Sequence, residues 1–262
     1  MQKISRSLLA TLVLSSVSVG VQAKDITVMI SGGFQAALEK LAPQFEAKSG
    51  DKIILVSGPS MGKTPQAIPA RLARGEKADV VIMVGGALEN LEKDNWIQPG
   101  SRVELADSPI GMVVKQGDSI PNIEKTADLR NALLHAKSIA YSDSASGRYV
   151  SSQLFKKLGI EAKLQEKTYM IERIPVASEV AKGKYELGFQ QVSELLPVPG
   201  VTFIGELPEG VQYITRFAGA ITAKAEHRQG GKALLDFLSS AQAQKVIRAT
   251  GMRTVKAEQP VN

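Results

Sequence analysis

The sequence predicts an α/β fold whose sheets are mostly parallel, and three observations predict it. The runs Ile26–Ile30, Lys52–Val56 and Val80–Val84 are apolar almost throughout, without the inside/outside alternation of a strand that faces water on one side. Each is followed by a segment whose apolar residues recur at helical spacing. Between strand and helix lie short Gly/Ser turns: Ser31–Gly33, Ser57–Gly62 and Gly85-Gly86. Sheets of this kind bind ligands beyond the carboxyl ends of their strands.

The elements follow in order. After Ile26–Ile30, the residues Phe34, Ala37, Leu38, Leu41 and Phe45 mark one face of a helix that stops at Gly50. Ile68 and Leu72 mark a second helix, Leu88 and Leu91 a third. A second α/β unit begins with the strand Ile110–Lys115 and the helix of Leu129 and Leu133. Ile139–Tyr141 then reads as a buried strand end, Ser142–Gly147 as a loop, and Val150, Leu154 and Leu158 as a helix closed by Gly159. Lys167–Ile174 is expected as a strand, Val176–Lys182 as a short helix, Glu186–Gln190 and Tyr213–Ile221 as extended segments. One final helix is expected through Leu234, Phe237, Leu238, Ala241 and Ile247, ending at Gly251.

Composition narrows the function. Lys3 and Arg6, the apolar stretch Leu8–Val21 and the small-x-small run Val21-Gln22-Ala23 read as a cleavable secretory signal over residues 1–23. A mature, periplasmic chain would begin near Lys24, the other reading of the same stretch being a retained anchor. With no cysteine the exported chain takes nothing from disulfides. The net charge of +6 is dispersed and aromatics make up only 5%, so neither a basic patch nor base-stacking side chains favour nucleic acid. His135 and His227 lack metal-ligand spacing, and no metal or cofactor is expected.

The candidate site is an anion site. Ser142–Gly147 brings hydroxyls and backbone N–H groups to a helix start, with Arg148 beside them. A serine N-cap beside a solvated arginine explains the same residues. Ser57-Gly-Pro-Ser-Met-Gly-Lys-Thr64 resembles a phosphate loop, but Gly58 and Gly62 enclose three residues where the nucleotide pattern has four. Arg173, like Arg148, can hold a carboxylate or phosphate in a bidentate fork.

Taken together these pieces resemble the solute-binding proteins of ABC importers, and within them the molybdate-binding family. The resemblance covers nearly the whole mature chain. It is carried by Ile26-Thr-Val with Ser31–Gly33, Gly58-Pro-Ser60, Arg74-Gly-Glu-Lys-Ala-Asp-Val-Val81, Ala145-Ser-Gly-Arg-Tyr149, Val180-Ala-Lys-Gly183 with Gly188, and Ser240-Ala-Gln-Ala-Gln-Lys-Val-Ile247 with Gly251. It implies a two-lobed, type II periplasmic-binding-protein fold with the ligand in the interlobe cleft. The two crossings are expected near Val103–Pro109 and Gln212–Gly219. Residues 24–104 and 215–262 would form the first lobe and residues 105–214 the second.

The family's ligand positions carry over unevenly. Ser60 matches a binding serine, and Ser146 stands where a backbone N–H is offered. Gly33 replaces a serine, with Ser31 near; Arg173 replaces a small apolar residue and Gln191 a tyrosine. The expected ligand set is therefore Ser31, Gly32, Gly33, Ser60, Ser146, Gly147, Arg148, Arg173 and Gln191. An arginine suits an organic di- or tricarboxylate better than molybdate, and both ligands stay open. The function expected is capture of a small anion by a monomer without catalysis and its delivery to a membrane permease. A sensor subunit for a receptor is the alternative. An exported hydrolase is weakest, for want of a Gly-x-Ser-x-Gly elbow and a placed base.

Overall fold

The computed structural model describes residues 23–62 and 64–255. The signal-peptide reading therefore falls almost entirely outside the described residues. The strands are β1 (Asp25–Ile30), β2 (Lys52–Ser57), β3 (Val80–Val84), β4 (Val103–Ser108), β5 (Ile110–Lys115), β6 (Ile139–Ser142), β7 (Thr168–Ile171), β8 (Leu187–Gln191), β9 (Val201–Glu206) and β10 (Thr215–Ile221). They form two five-stranded sheets, ordered β2-β1-β3-β10-β4 and β7-β6-β8-β5-β9.

The fold is the two-lobed α/β architecture. In each sheet three neighbouring strands pair in parallel, β2-β1-β3 in one and β7-β6-β8 in the other. One opposed strand is inserted next to them: β10 in the first lobe and β5 in the second. Each opposed strand is the first to follow a crossing from the other lobe, so the connections that hinge the lobes also complete their sheets.

Helices cover both faces of each sheet, which is why the strands read as continuous apolar runs. The helix Gly32–Ser49 presents Phe34, Leu38, Leu41 and Phe45 to one side of the first sheet, where Ile26, Val28 and Ile30 are fully buried. Each such side chain contributes about 1.5–3 kcal/mol of burial. Gly50 ends this helix in the left-handed conformation at φ 80°, its N–H donating to Glu46 O. Ile68, Leu72, Leu88 and Leu91 fill the other side. In the second lobe the same division places Leu129, Leu133, Val150 and Leu154 on one side of the sheet, and Val176, Val180 and Leu195 on the other.

Two expectations are corrected and one strand is added. The boundary expected at 104/105 moves to Pro109, because β4 pairs with β10 in the first sheet as far as Ser108. The single final helix is two, Arg228–Leu238 and Ala241–Ala249; Ser240 breaks it by accepting from Ala243 N–H at 3.2 Å as the cap of the second. Strand β9 was absent from the sequence reading altogether. At the hinge, Gln212 fastens the second crossing to the first: its Oε1 accepts from Ile110 N–H at 2.9 Å and its Nε2 donates to Ile110 O at 2.9 Å. No helix among the described residues is long and apolar enough to cross a membrane.

Candidate functional site

The cleft is built from the carboxyl ends of strands in both lobes. In the first lobe β1 ends in Ser31, whose N–H donates to Ile82 O at 3.0 Å. Its hydroxyl is buried and has no hydrogen-bond partner. An orphaned buried donor at a cleft is a place for a ligand atom. Beyond β2, Ser60 is buried with its Oγ accepting from Val84 N–H at 2.9 Å. That bond uses a lone pair, so the Ser60 O–H is left to donate. Thr64 Oγ1 is likewise buried and unpartnered. Gly33 packs under the Phe217 ring so closely that any Cβ would overlap it. This explains why no serine stands there: the hydroxyl that the family resemblance implies at Gly33 has no room.

The second lobe supplies the ionisable groups. Ser142 ends β6 and is followed by Asp143 and Ser144; Glu172, Arg173 and Ile174 follow β7; Gln190, Gln191, Ser193 and Glu194 lie at the end of β8 and in the turn of helix Val192–Leu195. Arg173 adopts a left-handed backbone at φ 66°, uncommon for a residue with a side chain. Ser193 Oγ donates to Gly33 O at 2.6 Å and so ties the two lobes at the back of the cleft.

Two adjoining chambers result. The larger, of about 560 Å³, is lined by Ser31, Gly32, Gly33, Ser60, Arg173 and Gln191 among the expected residues. The smaller, of about 400 Å³, takes Gly147, Arg148 and again Arg173. Met61, Thr64, Ser142, Asp143 and Arg173 line both. Ser146 lines neither: it is fully buried, with its Oγ 3.1 Å from Ser142 Oγ. Gln191 lines the larger chamber, but its side-chain amide is 2.9 Å from Thr215 Oγ1, which ties it to the hinge.

The structure adds two carboxyls that sequence reasoning passed over. Glu194 is pushed up to about 7: burial raises it, the Gln190 amide lowers it, and the charge of Asp143 raises it further. Asp143 is also raised. Burial dominates, its own backbone N–H opposes, Glu172 adds to the rise, and Arg148 and Arg173 pull back. The sequence signal for Glu194 was faint, a polar run just past a strand end. Asp143 was visible in the serine loop, but nothing local marked it as facing a cavity. No cluster of histidines or carboxylates among the described residues could hold a metal ion.

Two α/β lobes, a hinge, and a cleft with unpartnered hydroxyls and arginines define a ligand-capturing protein for small anions. The chain belongs to the bacterial extracellular solute-binding protein family, whose model matches residues 26–253. It is 28% identical over 242 residues to the molybdate-binding protein ModA of Azotobacter vinelandii, covering 88% of this chain and 90% of that protein. The solved periplasmic molybdate-binding protein of the same organism superposes with a TM-score of 0.71 at 21% identity, over 88% of this chain and 100% of that one. The ModA-like reading of the sequence is thereby borne out. A relative from Pseudomonas sp. is 43% identical over 233 residues, 89% of each chain, and its name is aconitate isomerase. That relative carries an enzyme's name, which corrects the expectation of a chain without catalysis.

Proposed function

We propose that this protein captures an unsaturated tricarboxylate of the aconitate type between its lobes and isomerises it. The observation that carries the reading is the pair of carboxyls with raised pKa, Asp143 and Glu194, inside an anion cleft. A site that only holds an oxyanion through neutral donors has no use for them, since each repels the ligand when ionised. A site that moves a proton needs such a group, with a pKa near the working pH. The name of the Pseudomonas relative supports the same substrate class.

Aconitate carries one carboxylate on each carbon of a propene chain. Its cis and trans forms cannot exchange by turning about the double bond at a useful rate. Removing a proton from the methylene carbon and returning one to the opposite carbon achieves the exchange, because the double bond changes place. Arg173, Ser31 and Ser60 are suited to hold the carboxylates, with closure of the lobes excluding water. Family membership and the similarity to ModA favour a second reading, in which the bound carboxylate is handed to a membrane permease.

The test is to incubate purified protein, in catalytic amount, with cis- and with trans-aconitate and follow both by proton NMR. Convergence of the two samples on one mixture is expected. Tight binding without conversion would overturn the isomerase reading and leave capture for import. Molybdate binding with no response to tricarboxylates would overturn the substrate class.

A further inference from the structure

We propose that Glu194 is the group that takes the proton from one substrate carbon and returns it to the other, and that Gln190 positions it. The assignment rests on the isomerase reading above.

Its geometry singles Glu194 out among the carboxyls of the cleft. Strand β8 ends at the cavity wall, and the helix Val192–Leu195 turns Glu194 back into the larger chamber. Its Oε1 accepts from Gln190 Nε2 at 3.0 Å. Gln190 is buried, and its own Oε1 accepts from Val176 N–H at 2.9 Å. With its oxygen committed to an N–H donor, the amide must turn its nitrogen to Glu194. The carboxyl is thus fixed by one neutral donor, and the structure gives it no bond to lysine or arginine. The same Oε1 also lies against Gly32 at the start of the first lobe's long helix, where any Cβ would overlap it. Glu194 therefore belongs to one lobe and touches the other, at the seam on which closure would press a substrate.

Among the described residues, the other charged groups of the larger chamber are Glu39, Asp143 and Arg173. Glu39 is exposed and accepts from Gln35 Nε2 at 2.7 Å. Asp143 feels both Arg148 and Arg173 and borders the smaller chamber as well. Glu39 is thus open to solvent and Asp143 has two arginines near it, whereas Glu194 has neither. With its pKa pushed up to about 7 by burial, Glu194 both accepts and releases a proton near neutral pH.

The step balances without a further reactant. The methylene C–H bond breaks and its proton passes to a Glu194 carboxylate oxygen. The electron pair spreads over the propene carbons and the adjoining carboxylates. The Glu194 O–H then breaks as its proton bonds to the opposite terminal carbon. The double bond now joins the central carbon to the carbon that lost the proton, and the carboxylate is restored. The new bond keeps the geometry in which the substrate was held, so cis and trans exchange without rotation about a double bond.

The experiment compares wild type with Glu194→Gln, Glu194→Asp and Gln190→Ala, using trans-aconitate in D2O. Glu194→Gln is expected to lower turnover by roughly a hundredfold to ten-thousandfold. In wild type, deuterium enters the methylene carbon whenever the Glu194 O–H exchanges with solvent before its proton is returned; Glu194→Gln should abolish that incorporation, yet keep the rise in melting temperature caused by trans-aconitate. Glu194→Asp should retain slow incorporation. Gln190→Ala should lower kcat with KM little changed and move the acidic limb of the pH–rate profile to higher pH, because the amide holds the carboxyl's pKa down. An active wild type with an equally active, deuterium-incorporating Glu194→Gln overturns this assignment alone. A wild type that binds trans-aconitate without turnover overturns the isomerase reading, and this assignment with it.

Discussion

The two walls of the cleft are made from the same strand–turn–helix unit and differ in chemistry. The wall of the first lobe offers hydroxyls, Ser31, Ser57, Ser60 and Thr64, around small or apolar residues, and among the described residues its one ionisable side chain is the exposed Glu39. The wall of the second carries Asp143, Arg148, Glu172, Arg173 and Glu194. Neutral donors suit any compact oxyanion, and a wall of that kind serves capture alone. Ionisable groups are a costlier choice at an anion site, and on the proposed isomerase reading placing them in one lobe lets that lobe discriminate and react while the other only holds. A chemistry can thus be added to a binding fold by changing the loops of a single wall, with both sheets left as they are.

The largest effect on binding should come from Arg173. Its removal in Arg173→Ala should weaken trans-aconitate by about 2–5 kcal/mol, the usual loss when one partner of a desolvated charge pair is truncated. Molybdate, if it binds at all through the first wall, should be spared; equal loss of both ligands by calorimetry would erase the proposed division between walls. Arg173→Gly sharpens the comparison. At φ 66° glycine relieves a left-handed backbone, so this variant should gain roughly 1–2 kcal/mol of stability while losing affinity. A fall in melting temperature of the unliganded protein would show that the Arg173 side chain holds the loop in place.

Ser60→Ala probes the holding wall and should cost about 1–3 kcal/mol in binding of either anion, with Val84 N–H also left without its acceptor. Calorimetry that finds a carboxylate-only effect would place Ser60 with the discriminating groups.

The walls also differ in how far the sequence disclosed them. The parallel cores were legible because strands covered on both faces must be apolar throughout, as Val80–Val84 is. The hydroxyl turns were legible because they sit directly after those strands. β9 was not, since its residues Val201–Glu206 are all half-buried at a sheet edge and follow no period. Arg173 was noticed first as an arginine able to hold a carboxylate or phosphate in a fork, and then through its departure from the family resemblance. Glu194 escaped because what distinguishes it lies across the cleft: Gly32 is on the other lobe, and Gln190 is held by the start of a different helix. A local pattern cannot encode a carboxyl whose meaning comes from three separate segments.

The smallest effect expected is on stability, and its sign separates the walls once more. Glu194 has its pKa raised from the ordinary 4.5 to about 7 in the folded protein. The folded state therefore binds a proton between these values that the unfolded chain has already released. Stability should fall as pH rises through that window, and the penalty should be complete above the folded pKa. Below 4.5 both states are protonated and the group contributes no pH dependence. Melting curves of the unliganded protein measured from pH 4.5 to 8 should show this decline, superposed on the titration of other groups. Glu194→Gln should remove it selectively, making the variant relatively more stable than wild type at pH 8 than at pH 4.5. Parallel curves for wild type and Glu194→Gln would mean that water reaches the carboxyl freely in the folded protein. The second wall would then lack the desolvation that distinguishes it from the first.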